Sequence, residues 1–317
     1  MEVTKAAING MSVECAVQRR AVRVRAFTML EMIVVLAILA VLAGVAVRSL
    51  EPLNQQARVD ATQKTLDEIR SSIVGSQALS GDVTTSTASF VADVGRLPVS
   101  LDELFLNVNG LPSYQAGALA GDDADVMLPR GWRGPYMRLP IGATTLRDGW
   151  GNPFGFELNS GGLAVASLGS DFTLGGNDAY KQDRGFILPS AGSIDSFYAE
   201  SISGQVYESV NGAWVAPTAG TGETVTVDVT FFAPDATIPP DADAVSQTIQ
   251  TLTAPANRYS FIRPSIGPRV VKATLTRTGP GQADGEGNPT TVTSKKTANV
   301  SVIVRAGAIH AIDLRLQ

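Results

Sequence analysis

From Phe27 to Val47 the chain reads FTMLEMIVVLAILAVLAGVAV, an apolar stretch in which Thr28 and Glu31 are the polar exceptions. About 20 such residues are enough for a helix to cross a bilayer, so the stretch predicts a transmembrane helix. Glu31 stands out within it. A carboxylate inside a membrane helix costs about 2.5 kcal/mol or more unless it reaches the interface or meets a partner, so it marks either a functional group or an anchor residue that snorkels. Beyond the stretch, Leu53, Ala57, Ala61, Leu66, Ile69 and Ile73 recur at steps of three to five residues. That period predicts a continuing helix with one apolar face. Run from Phe27 to about Ser80, the helix would be roughly 80 Å long at 1.5 Å per residue. Pro52 interrupts the pattern and predicts a kink or local melting, because its ring removes an amide donor and clashes with the carbonyl of Arg48.

Past Gly81 a Ser- and Thr-rich stretch leads to GRLPVSLDELF, in which Ser100 and Glu103 carry a capping-box signature for a short helix. The acidic segment GDDADV follows. Asp122, Asp123 and Asp125 read as a solvated loop, with cation binding as the alternative. From Gly131 the chain turns aromatic and strand-like, and the turn at Asn159 to Gly162 joins two strand runs as a hairpin. Pro189 to Ser193 reads as a linker. Beyond it, ETVTVDVTF alternates strictly, with Val225, Val227, Val229 and Phe231 on one face and Thr224, Thr226, Asp228 and Thr230 on the other. Similar runs at Arg269 to Thr276, Asn299 to Arg305 and Ala308 to Leu316 predict an antiparallel β-sandwich. The fold class expected is therefore α+β: a long N-terminal transmembrane and spine helix (27–80), a small α+β domain with an antiparallel sheet (81–188), and an all-β sandwich (194–317).

Residues 1–26 read as a leader. Lys5, Arg19, Arg20, Arg23 and Arg25 face only Glu2 and Glu14, so this end stays in the cytoplasm and the rest is sent across the membrane. Met11 is an alternative start. Without the leader, 20 Lys and Arg oppose 28 Asp and Glu, a formal charge of −8 that argues against nucleic acid as a partner. Cys15, the one cysteine, lies in the leader, so the exported part has no disulfide. The charged fraction of 17% is low and suits an exported β-rich protein.

The junction RA followed by FTMLE resembles the processing site of type IV pilins and of the pseudopilins of type II secretion. The resemblance implies that a prepilin peptidase cuts between Ala26 and Phe27. It also implies that the new Phe27 amine is methylated and that Glu31 lies near the amine of a neighbouring subunit. Two opposite charges buried together attract strongly at low dielectric, whereas either alone would be destabilised. Ala26 stands where the family usually has Gly and Arg48 where it usually has Pro, so slower cleavage is expected. The block GRLP, Trp132 with Gly134, Pro135 and Tyr136, then DGWGNPF from Asp148, and Ser167, Leu168, Gly169 and Asp171 resembles the globular domain of the major pseudopilin. Together these segments cover about half the chain. The sandwich is an addition to the family pattern, with a faint resemblance to carboxypeptidase-regulatory or transthyretin-like domains.

The loop SLGSDFTLGGNDAYKQD gathers Asp171, Asp178 and Asp183 around two adjacent glycines. Spacing alone leaves two readings, a metal-free acidic turn or a calcium loop, since calcium takes six to eight carboxylate and carbonyl oxygens in flexible geometry. The family resemblance implies calcium. It makes Asp171 the first ligand, with Asp178 or Asp183 next and carbonyls from Leu168 and Thr173. Phe172 replaces the family's common Gly there, and Arg184 its Ile. No catalytic constellation is visible: the exported part has no Cys, and its His310 shares a face with Ile312, Leu314 and Leu316. Trp132, Tyr136 and Trp150 read as core packing, with a sugar platform as the alternative.

The function implied is mechanical and not enzymatic. The chain would be a single-pass inner-membrane subunit with its C-terminal domains in the periplasm. It would self-assemble with other pseudopilins on an inner-membrane assembly platform into a filament that drives protein export. A minor type IV pilin with an adhesive sandwich is the alternative. An exported enzyme is a third reading, which lacks a catalytic constellation to support it.

Overall fold

The computed structural model describes residues 28–75, 88–159, 162–189, 198–235, 245–281, 291–305 and 307–317. Packing divides the chain into Met1–Leu53 and Asn54–Gln317. Helix α1 spans Met29–Val74 and runs through Pro52 without the local melting expected there. It ends at Gly75, whose φ of 87° is the left-handed conformation that closes a helix. The end comes six residues before the expected Ser80, and 76–87 lie outside the described residues. The buried face of α1 is Val59, Thr62, Leu66, Ile69 and Ile73. Leu53, Ala57 and Ala61, expected on that face, are exposed. Thr62 fits there because its hydroxyl donates to the Arg58 carbonyl at 2.8 Å and also accepts a loop amide.

Helix α2, Phe90–Val94, was not foreseen. Ser89 caps it by accepting from the Ala92 amide at 3.3 Å, and Gly95 ends it with φ 83°. The expected capping box is corrected. Leu101–Leu104 is a 3-10 turn, and Ser100 makes no side-chain cap bond. The Glu103 carboxylate instead accepts from Arg96, the Val99 amide and Asn109. It is fully buried, and a bidentate arginine neutralises it better there than a single orphan amide would.

Strands β1 (Gly155–Asn159), β2 (Gly162–Ser167) and β3 (Arg184–Pro189) form an antiparallel sheet in that order, with Asn159 and Gly162 paired at the turn as expected. Phe90, Val91, Leu104, Leu163, Val165 and Leu188 share one core with Leu66, Ile69 and Ile73 of α1. The sandwich is built from β4 (Ser201–Val210), β5 (Ala213–Val215), β6 (Thr224–Pro234), β7 (Val245–Thr253), β8 (Arg258–Ile262), β9 (Gly267–Pro280), β10 (Thr291–Val304), β11 (Ile309–Ala311) and β12 (Leu314–Leu316). One sheet runs β10-β9-β6-β7, antiparallel throughout. In the other, β4 is flanked by β8 and β5 in antiparallel pairing and by β11 and β12 in parallel pairing. The expected all-antiparallel sandwich is thus mixed. The final segment returns alongside β4 in the same direction, and the break at Ile312 and Asp313 lets Asp313 accept the Gln205 amide at 3.0 Å. Val225, Val227, Val229 and Phe231 are buried between the sheets, on the face their alternation indicated.

Candidate functional site

Ala26 and Phe27 lie outside the described residues. Glu31 sits exposed in the first turn of α1, where its amide donates to Thr28 Oγ1 at 3.2 Å. Around it every described apolar side chain is bare: Met29 is 83% exposed, Leu36 61% and Val41 68%. A helix that is apolar on all sides needs an apolar surround, which a single chain in water does not provide. Among the described residues, no helix is long and apolar enough to cross a membrane. Side chains 45–50 fall outside that description.

The Asp171 loop is the connection from β2 to β3. Its backbone turns through positive φ at Gly169 (69°), Phe172 (53°), Gly175 (86°) and Gly176 (153°). Gly169 and Gly176 are obligatory in a second sense, since a Cβ at either would lie 2.5 Å from the Lys181 carbonyl oxygen. The loop closes on itself through Ser170 N to Tyr180 O at 2.9 Å. Each aspartate first serves a turn. Asp171 accepts from Thr173 N at 3.3 Å, Asp178 from Tyr180 N at 2.8 Å and Asp183 from Gly175 N at 2.8 Å. Among the described residues, no three His, Cys, Asp or Glu side chains converge as a metal cluster. The second oxygen of Asp183 is buried and without a hydrogen-bond partner, which is the kind of group a hard cation satisfies. The donor set therefore fits calcium in chemistry, with carbonyls having to supply much of the shell.

The DGWGNP segment links this loop to α1. Asp148 accepts from the amides of Trp150 and Asn152 and from Ser167 Oγ at 2.7 Å, which folds the segment into a tight turn. Gly149 lies on the helix itself: its amide donates to Thr62 Oγ1 at 2.9 Å, and a Cβ there would meet the Arg58 carbonyl at 2.1 Å. From the other side of the turn, Asn152 donates to the Gly169 carbonyl at 3.1 Å.

Trp132 is a packing residue. Its indole donates to the Glu103 carbonyl at 2.9 Å and it meets Tyr136 edge-on, while Tyr136 meets Phe90 in the same way. Trp150 reaches Gln55 on α1 at 3.4 Å. His310 accepts from the Arg305 amide at Nε2, so its proton resides on Nδ1. Burial, aided by Arg305, holds its ionisation below the ordinary imidazole value, and it serves to pin a turn. Sequence reasoning missed the Arg133 pair with buried Asp93, at 2.8 and 2.9 Å, and the buried cations Arg269 and Lys272. The partners of Arg133 and Lys272, and the Ala92 carbonyl that Arg269 reaches, are far away in sequence.

Residues 22–47 match the family model for the prokaryotic N-terminal methylation motif, and residues 79–183 match that for type II secretion system (T2SS), protein G. None of the curated proteins compared matches the chain. A solved structure from Pseudomonas aeruginosa, described as a candidate carbohydrate binding protein, aligns over 38% of this chain and 89% of its own at 19% identity. Its TM-score of 0.21 is too low to carry an argument. The methylation motif falls on the start of α1, and the protein G match ends within the Asp171 loop. Those two matches, in family order on one chain, support a type II secretion pseudopilin over residues 22–47 and 79–183, and a C-terminal β-sandwich follows them.

Proposed function

We propose that the chain is a structural subunit of a type II secretion pseudopilus, anchored once in the inner membrane with Asn54–Gln317 in the periplasm. A prepilin peptidase removes residues 1–26, and assembly then buries the N-terminal half of α1 among its neighbours. The observation that carries this reading is the bare apolar surface of Met29 to Leu42, with Glu31 as its one carboxylate. In the filament Glu31 pairs with the Phe27 amine of an adjacent subunit, which offsets the cost of burying either charge. Growth of the filament drives cargo export, with energy supplied by other proteins. Calcium bound at the Asp171 loop, through Asp171 and Asp178 or Asp183 with carbonyls such as those of Leu168 and Thr173, staples β2 to β3 in the oxidising periplasm, where this exported part has no cysteine for a disulfide. The buried, partnerless oxygen of Asp183 favours it over Asp178.

Mass spectrometry of the membrane-extracted protein, combined with filament cross-linking, tests the proposal. The expected terminus is methylated Phe27, and Glu31→Ala is expected to insert normally but to lose cross-linked multimers. An intact leader in cells with active prepilin peptidase, or undiminished multimers in the variant, would overturn it.

A further inference from the structure

The sandwich meets the α+β half through a surface built like a domain interior. Leu119, Val126 and Leu128 from the loop before Trp132 are buried against Phe232 of β6 and Val270 of β9 in a shared apolar layer. Beside it the backbones touch. A Cβ on Gly95 would lie 1.8 Å from the Pro234 carbonyl oxygen, and one on Gly267 would lie 2.7 Å from Ala92 Cβ. Ile266 inserts into the core shared by α1, α2 and the small sheet.

Two cations flank that layer. Arg269, fully buried at the start of β9, donates to the Ala92 carbonyl of α2 at 3.0 Å, to Pro268 O at 2.7 Å, to Ser265 O and Oγ at 3.1 Å each, and to Ile266 O. Burial pulls its guanidinium down to about 9, so it stays charged at neutral pH. Lys272, 7% exposed at its side chain, reaches Asp122 O and Asp123 Oδ1 at 3.1 Å each and Asp125 Oδ1 at 2.6 Å. Asn299 of β10 donates to Asp125 Oδ2 at 3.0 Å, and Gln247 of β7 to Asp123 Oδ2 at 3.3 Å. The acidic loop read as solvated is therefore the receptor for a lysine of the other half. Domains joined by polar contacts move by default, whereas an apolar layer flanked by the buried Arg269 bonds and the part-buried Lys272 bonds holds them fixed.

We infer that the face made by α2 and residues 119–128 is a docking surface for this chain's own C-terminal sandwich, one that holds without the covalent connection. The sandwich is then carried as a fixed part of the subunit, in series with the pseudopilin half, and any load on one half is borne by the other. This inference does not depend on filament assembly or on calcium.

The test uses the detergent-purified full chain with a protease site inserted after Ser190. After cutting, the two fragments are expected to co-elute on gel filtration at micromolar concentration and physiological salt. In Lys272→Met, the concentration at which they separate should rise at least tenfold. Separation of the wild-type fragments would overturn the docking surface, and an unchanged threshold in the variant would overturn the role of Lys272. In the uncut chain carrying Trp214→Phe, fluorescence reports Trp132 and Trp150 of the α+β half, while far-UV circular dichroism also reports the sandwich strands. Coincident urea midpoints are expected. Two separated midpoints would show independent halves and refute the inference.

Discussion

Glu103 shows how a residue's role is set by what closes around it. Burial alone would raise its carboxyl, but donors from Arg96, Asn109 and the Val99 amide outweigh that and hold it below the ordinary carboxylate value. A folded-state value below the unfolded one means that the unfolded chain binds more protons, so stability rises with pH across that interval. The contribution is complete above the unfolded value, near 4.5, and is lost as pH falls through the folded one. Glu103→Gln keeps the shape but leaves Arg96 without its counter-charge, and should cost about 3 kcal/mol at pH 7. Thermal melts from pH 3 to 7 check both parts. The variant should melt several degrees lower at neutral pH and show a flatter acid limb; wild-type melting at every pH would remove Glu103 from the account of stability.

At the element scale, the DGWGNP turn matters as a spacer between α1 and the Asp171 loop. Gly149 has no room for a side chain against the Arg58 carbonyl, so Gly149→Ala must push the turn away from the helix and break its bond to Thr62. Overpacking of this kind costs about 1–3 kcal/mol. Thr62→Val keeps the shape and loses both hydrogen bonds of the hydroxyl, the one to the Arg58 carbonyl and the one from the Gly149 amide, and should cost about 1–2 kcal/mol. Urea titrations measure both, and the order is the diagnostic. An alanine variant as stable as wild type would mean that the turn is not seated on α1.

For the whole molecule, the calcium proposed at the Asp171 loop and the docked sandwich would be two separate ways of holding the pseudopilin half together. A ligand bound only to the folded state stabilises by RT ln(1 + [L]/Kd), about 2.7 kcal/mol at a hundredfold excess over Kd. For a body of this size that corresponds to a fall in Tm of about 5–10 °C on chelation. Asp183→Asn should abolish the response, because it removes the charge from the buried oxygen that has no partner in the protein. Magnesium should substitute poorly, since it demands tighter octahedral geometry. Identical melts with calcium and with chelator, in wild type and variant, would leave an ordinary acidic turn.

Local and periodic features were legible from the residues themselves. The helix at the start of α1, the inward valines of β6 and the pairing of Asn159 with Gly162 each depend on neighbours a few positions away, and the structure has all three. The pseudopilin motifs were legible for the same reason, as short runs with fixed spacing. Side-chain partners across the fold were not. Lys272 and Asp125 are 147 positions apart, and Arg269 and Ala92 are 177 apart. A lysine on the polar face of a strand and an acidic loop each read as solvated until tertiary structure brings them together. Which face of α1 is buried, and the parallel return of β11 and β12 beside β4, were likewise decided there. Periodicity says that a face exists, but only the packing partner selects it, as Thr62 shows by being buried with a loop amide to satisfy its hydroxyl.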